Sequence, residues 1–200
     1  MKLSLRNNLI IFKIKKYINN QTILYCLKVR IQYLINKFKK SISGNNNLIQ
    51  NKGILFNVKF DVIGNNNIIR IGKKTKLYNL TIFIRGDNHI LSIEDNCIIK
   101  GGSLWFEDSS CKILIGTDTT IESVHLAVTE NASTISIGSD CMFSDSIVLR
   151  TGDSHAIIDN DKDIKINAAQ NISIGNHVWI GSRSTILKGV VVGNNAIIGT

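Results

Sequence analysis

The sequence predicts an all-β chain wound into a parallel β-helix, preceded by a basic amphipathic helix. Three observations carry this. Ile174, Ile180, Ile186, Val192 and Ile198 fall six residues apart, and Gly175, Gly181, Gly193 and Gly199 follow four of those five. Ile49, Ile71, Ile93, Ile115 and Ile137 recur every 22 residues. Residues 1–43 hold ten of the 24 basic residues and no Asp or Glu. An aliphatic residue at every sixth position with Gly after it marks hexapeptide units, each a short strand and a corner. The aliphatic side chain points into a narrow core, and Gly relieves crowding where the chain turns.

Within each 22 residues the hexad starts stay visible, as Ile71, Leu77, Phe83, then Ile93, Ile99, Trp105, then Ile137, Phe143, Leu149. Twenty-two is thus three hexads plus four residues at one corner. The extra residues alternate, as in Thr134-Ile135-Ser136-Ile137, which reads as strand. The fifth place from each start is small: Thr75, Cys97, Thr119, Cys141, Val178, Ser184 and Ala196. A second inward position of modest volume explains that column. From Ile137 to Ile174 the step is 37 residues, 15 more than the repeat, and the surplus lies in His155–Asn171. This polar stretch must leave the ladder as a loop at about 156–171; loops of that length in a solenoid are usually functional, the alternative being a neutral insertion in a repeat protein. Asn tolerates left-handed backbone angles, so Gly64-Asn65-Asn66-Asn67 and Gly193-Asn194-Asn195 read as corners.

The domain division expected is 1–43 and 44–200. In residues 21–42, Leu24, Leu27, Ile31, Leu34, Phe38 and Ile42 follow helical spacing among Lys28, Gln32, Asn36, Lys39 and Lys40. Such a helix either caps an open end of the solenoid or binds an anionic membrane surface. The solenoid itself is nearly neutral, with 14 basic against 15 acidic residues, so the overall charge of +9 is no nucleic-acid footprint. No transmembrane stretch is long enough, and Lys13, Lys15 and Lys16 interrupt any signal-peptide core. Cys97 and Cys141 share a column two coils apart, roughly 9 to 10 Å by strand spacing, too far for a disulfide. The expectation is a cytoplasmic protein, held peripherally at the inner face of the membrane if the helix binds there.

The four His residues, 89, 125, 155 and 177, do not converge by repeat position, so no metal site is expected within one chain. His155 stands where the ladder ends and the insertion begins, in Arg150-Thr151-Gly152-Asp153-Ser154-His155. A His there is placed to meet substrate and exchange protons near neutral pH, with Asp153 able to orient it. The alternative is a turn His bonded to backbone.

The stretch Arg150–Asp159, followed by Ile166-Asn167-Ala168-Ala169-Gln170-Asn171-Ile172-Ser173-Ile174-Gly175-Asn176-His177-Val178-Trp179-Ile180-Gly181, resembles the hexapeptide-repeat acyltransferases. Within them it is most similar to O-acetyltransferases of bacterial capsular and surface polysaccharides. The likeness covers about residues 60–200, and its sharpest parts are Gly-Asp-Ser-His and His-Val-Trp-Ile-Gly, with 24 residues from His155 to Trp179. It implies a left-handed parallel β-helix, a homotrimer, a site in the cleft between subunits, acetyl-CoA as donor and a polysaccharide or sugar acceptor. It also implies His155 as catalytic base with Asp153 beside it. Trp179 and Arg150 would line the acetyl and acceptor site, with Gly181, Ser182, Gly199 and Thr200 along the pantetheine arm. Neither a metal nor a nucleic acid is implied.

The expected reaction is direct attack of a sugar hydroxyl on the thioester, without an acyl-enzyme. The ladder stops inside a repeat at Thr200, where the family usually continues with further hexads and a basic C-terminal segment. The expectation is therefore a fragment, or a protein impaired in donor binding. Two other functions remain open at this point: a non-catalytic β-helical scaffold or truncated remnant, and an acetyltransferase for a small acceptor such as an antibiotic or a nucleotide sugar.

Overall fold

A computed structural model of the chain describes residues 39–200, which form seven stacked coils. Each coil gives one strand to each of three seven-stranded sheets, and the strands pair in parallel. The first sheet runs from Lys39–Ser43 through Lys59–Ile63, Leu80–Arg85, Gly102–Phe106, Val124–Val128 and Ile147–Arg150 to Thr185–Leu187. The second runs from Leu48–Asn51 through Ile68–Ile71, Ile90–Ile93, Lys112–Ile115, Thr134–Ile137 and Ile172–Ile174 to Val191–Val192. The third runs from Ile54–Phe56 through Lys76–Tyr78, Ile98–Ile99, Thr120–Ile121, Met142–Phe143 and Trp179–Ile180 to Ile197–Ile198.

The 22-residue beat becomes a register. Ile71, Ile93, Ile115 and Ile137 stack as direct partners, and Ile174 and Val192 continue the column. The four isoleucines are buried, as are the inward Phe60, Phe106 and Phe143. Burying each such side chain contributes on the order of 1.5–3 kcal/mol. Glycine after a hexad start answers a close approach: a Cβ on Gly72 would lie 2.4 Å from the carbonyl carbon of Glu94 in the next coil. Asn66 and Asn195 take positive φ at their corners, as the Asn-rich turns predict.

Four expectations change. The solenoid already includes Lys39–Ser43, ahead of residue 44, because that strand pairs with Lys59–Ile63. Ile42, assigned by spacing to the end of the helix, is therefore a strand residue; a neighbouring strand edge offers its backbone a complete ladder of hydrogen bonds. The rest of the expected helix, and Cys26, lie outside the described residues. Ile49 pairs with Ile69 and not Ile71, since the first coil is 20 residues long in this sheet. Phe83 and Trp105 do not point inward. Their strands alternate, and Ile82, Ile84, Leu104 and Phe106 take the core positions instead. The four surplus residues per coil slide the third hexad start onto the outer face of the first sheet. In the sixth coil one further residue, seen in the pairing of Val124 with Ile147, returns Leu149 to the inside. Finally, the insertion is not wholly irregular: Ile158–Asp159 and Ile164–Lys165 form a short antiparallel hairpin.

Two polar columns run through corners of the core. Thr75, Cys97, Thr119 and Cys141 form one, with the Thr75 and Thr119 hydroxyls accepting the Cys97 and Cys141 N–H groups at 3.1 and 3.2 Å. The volume limit inferred from the sequence is thus joined by a hydrogen-bonding requirement. Asn67, His89, Cys111 and Ser133 form the other. Asn67 Oδ1 accepts the His89 N–H at 2.9 Å, and His89 Nδ1 accepts the Cys111 N–H at 3.1 Å. Cys97, Cys111 and Cys141 are free thiols, and burial pushes all three above the ordinary thiol pKa.

Candidate active site

The chain leaves the first sheet after Arg150 at a pinned point. Thr151 is fully buried, and its hydroxyl accepts the Thr129 N–H at 3.0 Å while lying 3.1 Å from the Ser133 hydroxyl. Gly152 follows because there is no room for more: a Cβ there would sit 2.4 Å from Thr129 Oγ1.

His155 then lies exposed on the outgoing loop, and its imidazole has no hydrogen-bond or ion-pair partner among the described residues. What is fixed is its backbone. Asn167 Nδ2 donates to the His155 carbonyl at 2.7 Å and to Asp153 Oδ2 at 2.9 Å. Lys188, from the seventh coil, donates to the same Asp153 carboxylate and to the Asn167 carbonyl. The Lys188 ammonium, and after it the Asn167 amide, hold the Asp153 carboxyl below its usual range. Asp153 thus anchors the loop that carries His155, and makes no bond to the imidazole ring itself.

The return arm of the insertion is clamped from below. Glu130 takes Lys165 in an ion pair and accepts the Ala169 N–H at 3.1 Å. Lys165, then the Ala169 N–H, keep its carboxyl below the ordinary range. Gln170 N–H donates to the Thr151 carbonyl at 2.9 Å, closing the insertion where it opened.

Trp179 stands elsewhere, on the outer face of the third sheet between Met142 and Ile197 in register. It is 47% exposed. With His177 and Asp140 it lines a cleft of about 260 Å³. His177 Nδ1 lies 2.8 Å from Asp140 Oδ2, an exposed pair with no link to His155. Gly181, Ser182, Gly199 and Thr200 follow at the corner leaving that sheet. The Ser182 hydroxyl lies 2.8 Å from that of Ser144, Gly181 N–H donates to the Ile198 carbonyl at 2.8 Å, and the Ser184 hydroxyl donates to the Gly199 carbonyl at 2.9 Å.

The sequence-predicted residues therefore fall into two groups. Arg150, Asp153 and His155 gather at the start of the insertion. Trp179, Gly181, Ser182, Gly199 and Thr200 gather at the third sheet and its corner. No hydrogen bond or ring contact joins the groups among the described residues.

Sequence reasoning missed the residues around Arg150. A slot of about 250 Å³ on the outer face of the first sheet is lined by Trp105, His125, Thr129, Arg150 and Ser154, with Glu107 at its side. The His125 Nδ1 lies 2.7 Å from the Ser103 hydroxyl. Burial, and then the Arg150 charge, push its pKa down. The available signal was the 22-residue step from Ser103 to His125, which makes them direct partners.

Comparison with known proteins places this geometry. Residues 171–200 match the family described as bacterial transferase hexapeptide (six repeats). The chain is 37% identical over 128 residues to the polysialic acid O-acetyltransferase of Neisseria meningitidis, a match covering 64% of this chain and 59% of that protein. It is 38% identical over 97 residues to the polysialic acid O-acetyltransferase of Escherichia coli O1:K1 / APEC, covering 48% of this chain and 31% of that one. The chain thus spans less than two thirds of either relative. Among solved structures, the polysialic acid O-acetyltransferase OatWY superposes with a TM-score of 0.74 at 34% identity, covering 79% of this chain and 75% of that one. The polySia-specific acetyltransferase NeuO superposes with a TM-score of 0.57 at 27% identity, covering 82% and 80%. With its coils, its register and three quarters of a solved relative matched, the chain belongs to the hexapeptide-repeat acyltransferases, alongside the polysaccharide O-acetyltransferases.

Proposed function

We propose that the protein transfers an acetyl group from acetyl-CoA to a hydroxyl of an acidic surface polysaccharide, with His155 as general base. The observation that carries this is the braced loop of the sixth coil. Asp153, Asn167 and Lys188 fix the His155 backbone and leave its imidazole free to meet a hydroxyl. The names of the relatives support the acceptor class, a polymer of sialic acid for both curated proteins.

A sugar hydroxyl is a weak nucleophile at neutral pH. His155 takes its proton as the oxygen attacks the thioester carbonyl. The carbon–oxygen bond forms, the negative charge on the former carbonyl oxygen is met by a backbone N–H of a coil, and the carbon–sulfur bond breaks. The imidazolium returns its proton to the departing thiolate. No acyl-enzyme intervenes: Cys141 is buried against the corner of the fifth coil, with its thiol pKa raised. Gly181, Ser182, Gly199 and Thr200 form the column along which the pantetheine arm lies.

In this proposal the site is assembled between subunits of a homotrimer, His155 from one and Trp179 from its neighbour. The separation of the two groups in one chain supports that arrangement. The basic segment ahead of the solenoid would hold the enzyme at the inner face of the membrane. Removing residues 1–38, and so sparing the first coil, should then abolish salt-sensitive binding to vesicles containing anionic lipid while leaving a folded solenoid. Undiminished binding would end the membrane role.

The activity itself is tested by replacing His155. His155→Ala should lower turnover by about 10² to 10⁴, the usual size of a lost acid–base group, with acetyl-CoA binding unchanged. His177→Ala, beside Trp179 but paired with Asp140, should cost far less. The reverse order would assign the base to His177.

A further inference from the structure

We propose that the slot between Trp105 and Arg150 is a subsite for one carboxylate-bearing pyranose ring of the acceptor chain. This rests on the polysaccharide reading above and names where that polymer is gripped. Asp61, Phe83, Trp105, Ala127 and Arg150 occupy one row of the outer face, in five successive coils. The Phe83 and Trp105 rings stack with centroids 3.7 Å apart and planes 19° apart. The Arg85 guanidinium lies 3.8 Å from the Phe83 centroid and is tied to Asp61 at 2.9 Å. Phe83 is thereby occupied by Arg85 and Trp105, while on its other side Trp105 meets only the tilted His125 ring, with centroids 6.5 Å apart and planes 59° apart. The next side chain along the row is Ala127, a methyl, and Arg150 stands one coil beyond it. Two coil rises are roughly 9 to 10 Å, the span of one sugar ring, with Ala127, 2% exposed, as the covered floor between the two flat groups. The slot's volume, about 250 Å³, fits the same occupant.

The walls have the polarity such a ring needs. Thr129 is 6% exposed, lines the slot, and its hydroxyl oxygen has no hydrogen-bond partner. Arg150 Nε is likewise buried and unpartnered, while its Nη2 donates to the Ser154 hydroxyl at 2.6 Å. A buried polar group left unpaired costs on the order of 1–3 kcal/mol, so these two atoms mark a place for ligand oxygens. The apolar face of the sugar ring lies on the indole, its carboxylate on Arg150, and its hydroxyls on Thr129, His125 and the Glu107 carboxylate. An aromatic floor with a few convergent polar groups is the usual build of a small-ligand site. Ser154, at the rim, precedes His155 in the chain, so a polymer gripped here runs directly past the base.

The chain has two tryptophans, so in Trp179→Phe the emission of Trp105 reports on the slot alone. Titration of that variant with a sialic acid tetramer should give a saturable emission change, and a tetramer with its carboxylates reduced to alcohols should give none. Thr129→Val in the same background should weaken the tetramer at least tenfold. In acetyl transfer, Trp105→Leu should raise the acceptor KM at least tenfold with kcat and the acetyl-CoA KM within twofold. Trp105→Phe, which keeps a stacked ring, should recover most of the loss. A saturable change in a protein that transfers no acetyl group would uphold the subsite and remove the enzyme reading. An active enzyme whose Trp105 emission ignores the tetramer, and whose acceptor KM is indifferent to Trp105→Leu, would overturn the subsite and leave the activity standing. An equal response to acidic and reduced tetramers would also overturn it.

Discussion

His89 shows how far a single residue's role departs from its chemistry on paper. It is fully buried, its Nδ1 accepts the Cys111 N–H, and its Nε2 lies 3.1 Å from the Arg85 carbonyl, to which it donates. Both ring nitrogens are used by the neutral form, and burial holds the pKa below the usual histidine value. The unfolded chain takes up a proton near pH 6.5, so it binds more protons than the fold as pH falls. This contribution to stability is full above about pH 6.5 and is lost progressively below it. Asn67 does the same work one coil earlier, with Nδ2 donating to the Gly86 carbonyl at 2.9 Å. His89→Asn should therefore fold, and its melting temperature should fall less between pH 7.5 and 5.5 than that of the wild type. His89→Leu leaves two buried backbone groups unpaired and should cost about 1–3 kcal/mol or more. An acid sensitivity unchanged in His89→Asn would contradict this assignment. Nothing in the hexad pattern distinguishes His89 from a catalytic histidine; the signal is its place in the 67, 89, 111, 133 column. His155 was legible as a candidate base because the interruption of the ladder marks it. His125 and Trp105 were not read as candidates, because outward positions obey no volume limit, and the 22-residue steps from Ser103 to His125 and from Phe83 to Trp105 were the trace available.

At the scale of elements, the insertion is the part on which the proposed function rests and the part least specified by pattern. Its position was readable from the 37-residue step, since a core column cannot skip a coil. Its hairpin was not, since two-residue strands are too short to show alternation. Its attachment rests on Glu130, which holds Lys165 and the Ala169 N–H, and on the latch of Asp153, Asn167 and Lys188. Glu130→Ala should speed backbone hydrogen exchange across residues 156–169 and lower turnover by up to about 10²-fold, the loss a misplacement of about 1 Å brings. The coils themselves should keep their protection. Exchange unchanged in the insertion would show that the clamp is not what orders it. The first-sheet strands teach the opposite lesson. Their alternation, Leu80-Thr81-Ile82-Phe83-Ile84, already placed Phe83 outside, and counting hexads in place of alternation put it inside.

At the scale of the molecule, seven coils share one core, and the phase of Ile71, Ile93, Ile115 and Ile137 made that core legible because it survives every coil. The separation of the candidate residues into two groups could not be read so, since spacing along the chain does not say which face of a three-sided solenoid a residue occupies. If His155 and Trp179 meet across a subunit boundary, His155→Ala and Trp179→Ala should each be impaired alone, and mixing them should restore part of the activity in mixed trimers. Strictly additive residual activities would place both residues in one chain's site. The central claim, that His155 drives acetyl transfer to an acidic polysaccharide, is tested most directly by thiol release from acetyl-CoA. Release should require the polysaccharide and fall by about 10² to 10⁴ in His155→Ala. Release that proceeds equally without acceptor, or at the wild-type rate in that variant, would contradict it.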